Sequence, residues 1–221
     1  MTNSSNIVEP NLQEVSAGAV HALNNVLAVL FAASSYLDEA GDEGTMDRAR
    51  QAVENACKAG QAVSAGLAIL GVDAEALKAA ADISLDSPPL ERDEVERILE
   101  VLGEVGGVHL REGNGPIPIT VIPLDREILQ SLLICAAIAL RREFGREIGI
   151  VCDAGLSDGR LVFKLHAEGV SATQSGFKNA ARHPCSIAIE FAGAIFPQIG
   201  CEVVRTSPGS ISIVLATKRA A

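Results

Sequence analysis

The chain has 221 residues, of which 48% are hydrophobic and 21% are charged, so it is not an intrinsically disordered protein and is long enough to bury a core. Its 18 basic and 28 acidic residues give a net charge of −10 at pH 7, which argues against a surface for binding nucleic-acid phosphates. Aromatic residues make up only 3%, with no Trp, which also disfavours base stacking.

The N-terminal segment, residues 1–10, is polar, lacks the basic and apolar regions of a signal peptide, and is predicted to be disordered. The most apolar stretch, residues 26–33, is shorter than the roughly 20 residues needed to cross a bilayer. Five cysteines, at positions 57, 135, 152, 185 and 201, are scattered without a C-x-x-C motif, which indicates reduced core thiols rather than a disulfide or zinc framework. These features predict a cytoplasmic protein without a membrane segment.

Residues 11–40 carry apolar and small side chains at the alternating spacing of a coiled-coil helix. The stripe comprises Ala19, Leu23, Val26, Leu30, Ala33 and Leu37. A second series follows, for which Thr45 or Asp47 is suited to cap the helix and which Gly71 closes. Its members are Met46, Ala49, Val53, Ala56, Gly60, Val63, Leu67 and Leu70. Two such helices joined by a short turn predict an antiparallel hairpin over residues 11–72.

A lone hairpin does not surround its own apolar seam, so a second copy is expected to complete a homodimeric four-helix bundle. Residues 73–89 are predicted to be a linker, and residues 90–221 alternate helices with a largely antiparallel sheet. Predicted helices cover residues 92–103, 124–144 (opened by Asp125) and 186–196. Predicted strands cover residues 108–111, 117–122, 149–154, 161–167, 202–206 and 210–217. The predicted fold class is therefore α+β, a helical hairpin followed by a two-layer α/β sandwich.

His21 is predicted to face solvent, because Leu23, Leu30 and Leu37 at heptad position a place it at position f. Its neighbours on that face are small or polar: Ala17, Gly18, Asn24, Asn25 and Ala28. Such a patch lets another protein approach closely. An imidazole with an ordinary pKa of about 6.5 is largely neutral at pH 7 and is a competent phosphoryl acceptor. The alternative is a solvated histidine, with Asn24 and Asn25 as ordinary polar surface.

The sequence VHALNNVLAVL at residues 20–30 resembles the H-box of bacterial sensor histidine kinases, especially the nitrogen-regulator-like branch with its paired asparagines. Over nearly the whole remaining chain, the order of elements is similar to that of the kinase ATP-binding domain. Three of that domain's nucleotide-binding features are missing. Ala136 stands at the metal-binding asparagine, EGVS at residues 168–171 replaces D-x-G-x-G, and HPCSIA at residues 183–188 replaces the last glycine-rich motif.

This combination resembles the ChpT-type histidine phosphotransferases, which pair a dimeric histidine-bearing bundle with a degenerate ATPase-like domain. The resemblance implies a phosphotransferase without autokinase activity that shuttles phosphoryl groups between the aspartates of CheY-like receiver domains through His21. It implies no cofactor on this chain, because the partner receiver holds the Mg²⁺. Asn25 matches the position at which family members orient water to dephosphorylate a receiver, so the resemblance implies a catalytic role for it.

One departure from the family is Ala22, where a Glu or Asp usually follows the histidine and serves as its base or sets its tautomer. This departure favours an alternative, a catalytically silent pseudokinase that binds a receiver or kinase as a scaffold. Receiver phosphatase action through Asn25 and an active kinase with an unrecognised nucleotide site are further alternatives. The other histidines, His109, His166 and His183, form no metal-binding spacing and are predicted to be structural or solvated. Residues 169–178 are predicted to be a remnant lid loop or a linker.

Overall fold

The structure of the chain is a computed structural model. It describes residues 12–38, 43–72, 92–106, 108–111, 120–122, 124–145, 147–170 and 183–219. The predicted disordered N-terminus, the predicted linker and most of the predicted lid loop lie outside these residues.

The N-terminal part is a pair of long helices, α1 over Leu12–Asp38 and α2 over Glu43–Leu70, which pack along each other. The connection of only four residues makes them antiparallel, which confirms the predicted hairpin. The predicted caps of α2 are wrong, because Thr45 and Asp47 lie inside the helix, which begins at Glu43. An acidic residue in the first turn is stabilised by the partial positive charge of the helix N-terminus, which favours the earlier start.

The predicted apolar seam divides into two faces in the structure. The buried members are mostly alanines: Ala19 and Ala33 on α1, and Ala49, Ala56 and Val63 on α2. Small side chains let the two helix axes approach closely, so they form the contact within the hairpin. The larger members that are exposed are Leu23, Leu30 and Leu37 on α1 and Met46, Val53 and Leu67 on α2. Together with three exposed residues outside the predicted seam, Val20, Leu27 and Phe31, they form what we call the outer apolar face.

The rest of the described chain is an α/β unit. Its helices are α3 (Arg92–Gly106), α4 (Arg126–Phe144) and α5 (Pro184–Ile195), the last followed by a short 3₁₀ turn at Phe196–Ile199. Its strands are β1 (Val108–Arg111), β2 (Thr120–Val121), β3 (Ile150–Ser157), β4 (Arg160–Ala167), β5 (Cys201–Ser207), β6 (Ser210–Ala216) and β7 (Lys218–Arg219).

A five-stranded sheet has the order β1-β3-β4-β6-β5, in which β1 and β3 are parallel and the other neighbours are antiparallel. The short strands β2 and β7 form a separate antiparallel pair. The mixed α+β fold with a largely antiparallel sheet is therefore confirmed.

Local sequence explains several of these boundaries. The Asp125 side chain accepts a hydrogen bond from the backbone N–H of Glu127 at 2.8 Å, which caps α4 as predicted. Asp158 and Gly159 have φ values of 51° and 74° between β3 and β4, as a two-residue hairpin turn requires. An ion pair between Arg126 and Glu94 joins the first turns of α4 and α3.

The hairpin and the α/β unit share one hydrophobic core. Helices α4 and α5 pack against the sheet, and α2 packs against both of these helices. Ala62, Ala65 and Ile69 of α2 belong to the same buried cluster as the apolar residues of α4, α5 and the strands. Helix α2 of the hairpin is therefore packed directly against the α/β unit.

Gly66 lies where α2 passes closest to the start of α5. A Cβ atom at this position would lie 2.9 Å from the backbone carbon of Pro184 and 3.0 Å from the backbone nitrogen of Cys185. We expect Gly66→Ala to lower the free energy of unfolding by about 1–3 kcal/mol, because two backbones must move apart. Urea unfolding of the purified protein measures the change.

Gly60 provides the matched control for Gly66 on the same helix. No atom lies within 4 Å of a Cβ built on Gly60, so Gly60→Ala is expected to stabilise the protein by up to about 1 kcal/mol through its higher helix propensity. An equal effect of the two substitutions would contradict the close contact between α2 and α5.

Candidate functional site

His21 lies in α1 between two and three turns after the start of the helix at Leu12, and its side chain is exposed. Asn24, Asn25 and Ala28 are exposed as well, so these predicted neighbours surround it as expected. The prediction for Gly18 is wrong: it is buried, because it lies one turn before the buried Ala22 on the packed side of the helix. Of Ala17 only the helical backbone is described. The exposed patch therefore consists of His21, Asn24, Asn25 and Ala28.

The patch points away from the leucine side of the outer apolar face, whereas Phe31 and Val20 of that face lie about 80° and 100° around the helix axis from His21. At about 100° per residue in an α-helix, Leu23 and Leu30 lie roughly 160° and 180° around the axis from His21, whereas Asn25 and Ala28 lie within roughly 40° of it. A partner that covered the outer apolar face would therefore leave His21 accessible. The chain separates an apolar contact surface from a histidine-bearing surface on a single helix.

Ala22, the residue that follows His21, is buried and lines a cleft next to α4. A carboxylate at this position would have to be buried against the packed helices, which is costly without a partner. The alanine therefore fits the packing of this hairpin. It also means that residue 22 supplies no proton acceptor for the imidazole.

A cleft of about 630 Å³ lies between the hairpin and the α/β unit. Asn25 and Ala28 of the His21 patch line its edge, and on the other side it is lined by the C-terminal part of α4 and by His183. The charged residues along its described lining are all basic: Lys58, Arg141 and Arg142. Next to the patch, a protein of net charge −10 thus presents a region that attracts anions.

The basic residues of the cleft differ in their surroundings. Lys58 forms an exposed ion pair with Glu54 at 2.7 Å, one helical turn away on α2. Burial lowers the pKa of the Arg141 guanidinium, and the charge of Glu147 opposes this shift. A bound anion beside Arg141 would offset the loss of hydration that burial imposes.

Of the positions at which the family resemblance implies lost nucleotide-binding residues, Ala136 and the start of α5 are packed, whereas Glu168 and Gly169 are exposed. Ala136, at the position that the resemblance assigns to the family's metal-binding asparagine, is completely buried in α4. His183 caps α5, since its Nδ1 accepts a hydrogen bond from the backbone N–H of Cys185 at 3.2 Å. This capping role was not predicted, although His183 directly precedes a proline at the first helical position, which is a typical helix start.

The remaining histidines lie in strands of the sheet. His109 is exposed on β1, and the Nδ1 atom of His166 lies 3.6 Å from the Asp153 carboxylate on the neighbouring strand. Within the described residues, no group of three or more His, Cys, Asp or Glu side chains is arranged to hold a metal ion.

Four cysteines are buried, but Cys57 is exposed on α2, so the prediction of a core thiol is wrong for Cys57.

One described helix segment, Gly18–Leu37, is long and apolar enough to cross a membrane by length and composition, with a mean hydropathy of 1.4 over its window. The prediction that no segment is long enough rests on residues 26–33 and is wrong by this criterion. Alanine, valine and leucine residues before this stretch, and Tyr36 and Leu37 after it, extend the apolar window despite His21 and the two asparagines.

Three solved structures similar to this chain are a bacterial phosphotransferase, the histidine kinase AdeS of Acinetobacter baumannii and a histidine kinase from Burkholderia phymatum. The phosphotransferase is 9% identical, with 97% of this chain and 98% of that chain covered and a TM-score of 0.47. AdeS is 12% identical, with 90% of this chain and 98% of AdeS covered and a TM-score of 0.46. The Burkholderia kinase is 13% identical, with 91% of this chain and 98% of the kinase covered and a TM-score of 0.41.

No family model matches the chain, and a comparison with curated proteins finds no match. Because the identities and TM-scores of the solved structures are low, the function proposed below rests on the residues of this chain and their geometry. The structural neighbours of this chain include a bacterial phosphotransferase and histidine kinases, the two classes of protein that its sequence resembles.

Proposed function

We propose that this protein is a histidine phosphotransferase of a two-component phosphorelay, in which His21 carries a phosphoryl group from one receiver domain to another. The observation that carries the proposal is the exposed patch of His21, Asn24, Asn25 and Ala28 on a helical hairpin. Small and polar neighbours leave room for a second protein to bring a phosphorylated side chain up to the imidazole. The packed residues at the lost nucleotide motifs, such as Ala136, support transfer without ATP.

In the proposed reaction, a neutral nitrogen of the His21 imidazole attacks the phosphorus of a receiver's aspartyl phosphate in line with the bond to be broken. The P–N bond forms as the P–O bond breaks, and the receiver's aspartate leaves as a carboxylate. The imidazolium then loses its remaining N–H proton to solvent, because Ala22 offers no carboxylate. A second receiver's aspartate attacks the phosphohistidine in the reverse sense. Mg²⁺ held by the receiver neutralises the charge on the transferred group.

The basic cleft supports docking of an acidic or phosphorylated partner next to His21. Lys58, Arg141 and Arg142 line the cleft whose edge is formed by Asn25 and Ala28 of the patch. Opposite charges speed the encounter of two proteins and orient it. The overall acidity of the chain therefore does not oppose a receiver at this position. We place the reaction in the cytoplasm, where the cysteines remain reduced.

We further propose that two copies associate through the outer apolar face to form a four-helix bundle. Among the described residues, only two large apolar side chains outside the hairpin are exposed, Leu156 and Val204. Leu37 of α1 lines one groove with Met46 and Val53 of α2, so the exposed side chains of the two helices share a surface. A symmetric dimer would remove this surface from water while each His21 stays outward.

The test is transfer of radiolabelled phosphate from the phosphorylated receiver domains of the same organism to the purified protein. The proposal expects label on this chain that is labile to acid and stable to alkali, as phosphohistidine is. Label that resists acid, or no label with an unchanged lifetime of the receiver's phosphate, would overturn it. The second result would favour the pseudokinase scaffold, which Ala22 supports.

A receiver phosphatase is the second candidate, because Asn25 is exposed one helical turn beyond His21. An amide in this position is suited to orient a water molecule towards an aspartyl phosphate. Its signature in the same assay is a shortened lifetime of the receiver's phosphate without label on this chain. Asn25→Ala would then restore the lifetime, whereas it would leave the label of a phosphotransferase in place.

A further inference from the structure

Three helices line the cleft between the hairpin and the α/β unit, and each presents one stripe of side chains to it. Within a stripe the residues follow the spacing i, i+3, i+4 of a single helix face. The stripes are Ala22, Asn25, Val26 and Val29 on α1, Asn55, Lys58, Ala59 and Ala62 on α2, and Ile138, Arg141 and Arg142 on α4. The cleft of about 630 Å³ is therefore formed by the packing of these helices.

Most of the cleft lining is apolar. The hairpin contributes alanine and valine side chains, and α4 contributes Ile138, which packs against the hydrophobic core. Ile138 lies one helical turn before both Arg141 and Arg142, so an apolar side chain adjoins the two guanidinium groups. Binding sites for small organic molecules commonly have volumes of about 300–1,000 Å³ and combine an apolar lining with a few polar groups. The cleft has the size and the composition of such a site.

The polar groups of the cleft favour an anion. Arg141 and Arg142 both line it, and each guanidinium is a planar fork of N–H donors that fits the oxygens of a phosphate group. Lys58 adds an ammonium group from α2. The Nδ1 atom of His183 accepts a hydrogen bond from the backbone of α5, so a neutral imidazole carries its proton on Nε2 as a further donor. Side chains from α2, α4 and the cap of α5 thus offer positive charge or N–H donors to one ligand.

The acidic residues near the cleft lie outside its lining. Among the described residues that line it, none is acidic. Glu54 pairs with Lys58 at 2.7 Å, but an exposed ion pair of this kind is weak, so a ligand can replace Glu54. Glu143 pairs with Arg205 on β5 at 2.5 Å, and Glu147 is not part of the lining either. A ligand with more than one negative charge is therefore favoured at this position.

We propose that the cleft binds a small organic phosphate, whose apolar part lies against the alanine and valine side chains and whose phosphate group is held by Lys58, Arg141 and Arg142. A phosphate monoester carries about 1.5–2 negative charges at pH 7, which suits three cations better than a single carboxylate does. The bound ligand contacts α1, α2 and α4 together and so joins the hairpin to the α/β unit.

This site is distinct from the nucleotide site of the histidine kinases. Neither Ala136 nor Glu168, which stand at lost nucleotide-binding positions, lines the cleft, and most of the lining residues belong to the hairpin. Of the replaced motif at residues 183–188, only His183 is on the described lining. The site also goes beyond the proposed phosphotransfer, because its occupation does not require a phosphoryl group on His21.

The test is calorimetric titration of the full-length protein with three probes at pH 7 and constant ionic strength. The first probe, 1-naphthyl phosphate, combines an apolar body with a phosphate group; inorganic phosphate and 1-naphthol each supply one of these parts. We expect saturable binding of 1-naphthyl phosphate that is at least about 10-fold tighter than binding of either part. Because the ligand binds the folded protein, the unfolding temperature should rise with its concentration.

Two variants remove cations from opposite sides of the cleft. Lys58→Ala and Arg142→Ala should each weaken the binding of 1-naphthyl phosphate by about 10-fold, since each removes a charge-assisted contact with the phosphate group. The matched control is Arg97→Ala, because Arg97 is an exposed arginine on α3 that does not line the cleft. This variant should bind the probe as the parent does.

Amide hydrogen exchange locates the bound probe. Exchange should slow in α1 at residues 22–29, in α2 at residues 55–62 and in α4 at residues 138–142. Absence of saturable binding, equal weakening in Arg97→Ala and Arg142→Ala, or slower exchange only outside these segments would overturn the site. Binding of inorganic phosphate as tight as that of 1-naphthyl phosphate would overturn the assignment of an organic ligand.

Discussion

His21→Gln is expected to reduce the labelling of this chain by a phosphorylated receiver to the background level. Glutamine retains a polar side chain on the exposed patch, but its amide nitrogen is not a nucleophile that accepts a phosphoryl group at neutral pH. The site is exposed, so the substitution should leave the free energy of unfolding within about 0.5 kcal/mol of the parent value. Labelling is measured with the same receivers and the same concentrations for parent and variant.

The matched control is His109→Gln, since His109 is also an exposed histidine but lies on β1, away from the hairpin. This variant should take up label at the parent rate. Equal labelling of parent and His21→Gln would place the chemistry at another residue and would contradict the proposed phosphotransferase. Loss of label in both variants would indicate a disturbed fold instead, which circular dichroism of the two proteins would reveal.

Leu27→Glu is expected to convert a dimer into a monomer. Leu27 lies on the outer apolar face with 51% of its side chain exposed in the single chain. Burial of one leucine is worth about 1.5–3 kcal/mol, and a two-fold interface contains the position twice. Because about half of each side chain is already covered in the single chain, loss of both leucines corresponds to about 1.5–3 kcal/mol, or roughly a 10- to 150-fold weaker dimer, before the cost of burying two carboxylates is included. Light scattering with size-exclusion chromatography measures the mass.

The matched control is Leu156→Glu, because Leu156 is a leucine of similar exposure, 42%, near the end of β3. This variant should retain the mass of the parent. A parent protein that is monomeric at micromolar concentration, or a Leu27→Glu variant with the parent mass, would show that the outer apolar face does not join two copies.

Much of the α/β unit is predictable because its signals are local. The Asp125 cap acts on Glu127 two residues away, and the turn at Asp158 and Gly159 depends on the backbone preferences of those residues alone. The start of α2 is less predictable, because acidic and capping residues occur close together from Glu43 to Asp47 and several starts satisfy the same helix. The helix begins at Glu43, which places an acidic residue in its first turn.

The candidate site shows the same division between local and distant causes. The exposure of His21 follows from the helical spacing of its neighbours, which the sequence contains. The burial of Gly18 does not follow from that spacing, because it depends on the side of α1 that packs. The basic cleft was not predicted at all: Lys58 and Arg141 are more than 80 residues apart in the chain and meet only because α2 packs on α4.

The helical hairpin, the α+β class and the exposed histidine can be read from the sequence alone, because each depends on the periodicity of apolar residues or on a short motif. The packing of the two helices is needed to distinguish the half of the apolar seam that closes the hairpin from the half that lies on the outer apolar face. The periodicity is the same for both halves, and the difference is one of size: alanines permit the close contact of α1 and α2, and leucines do not.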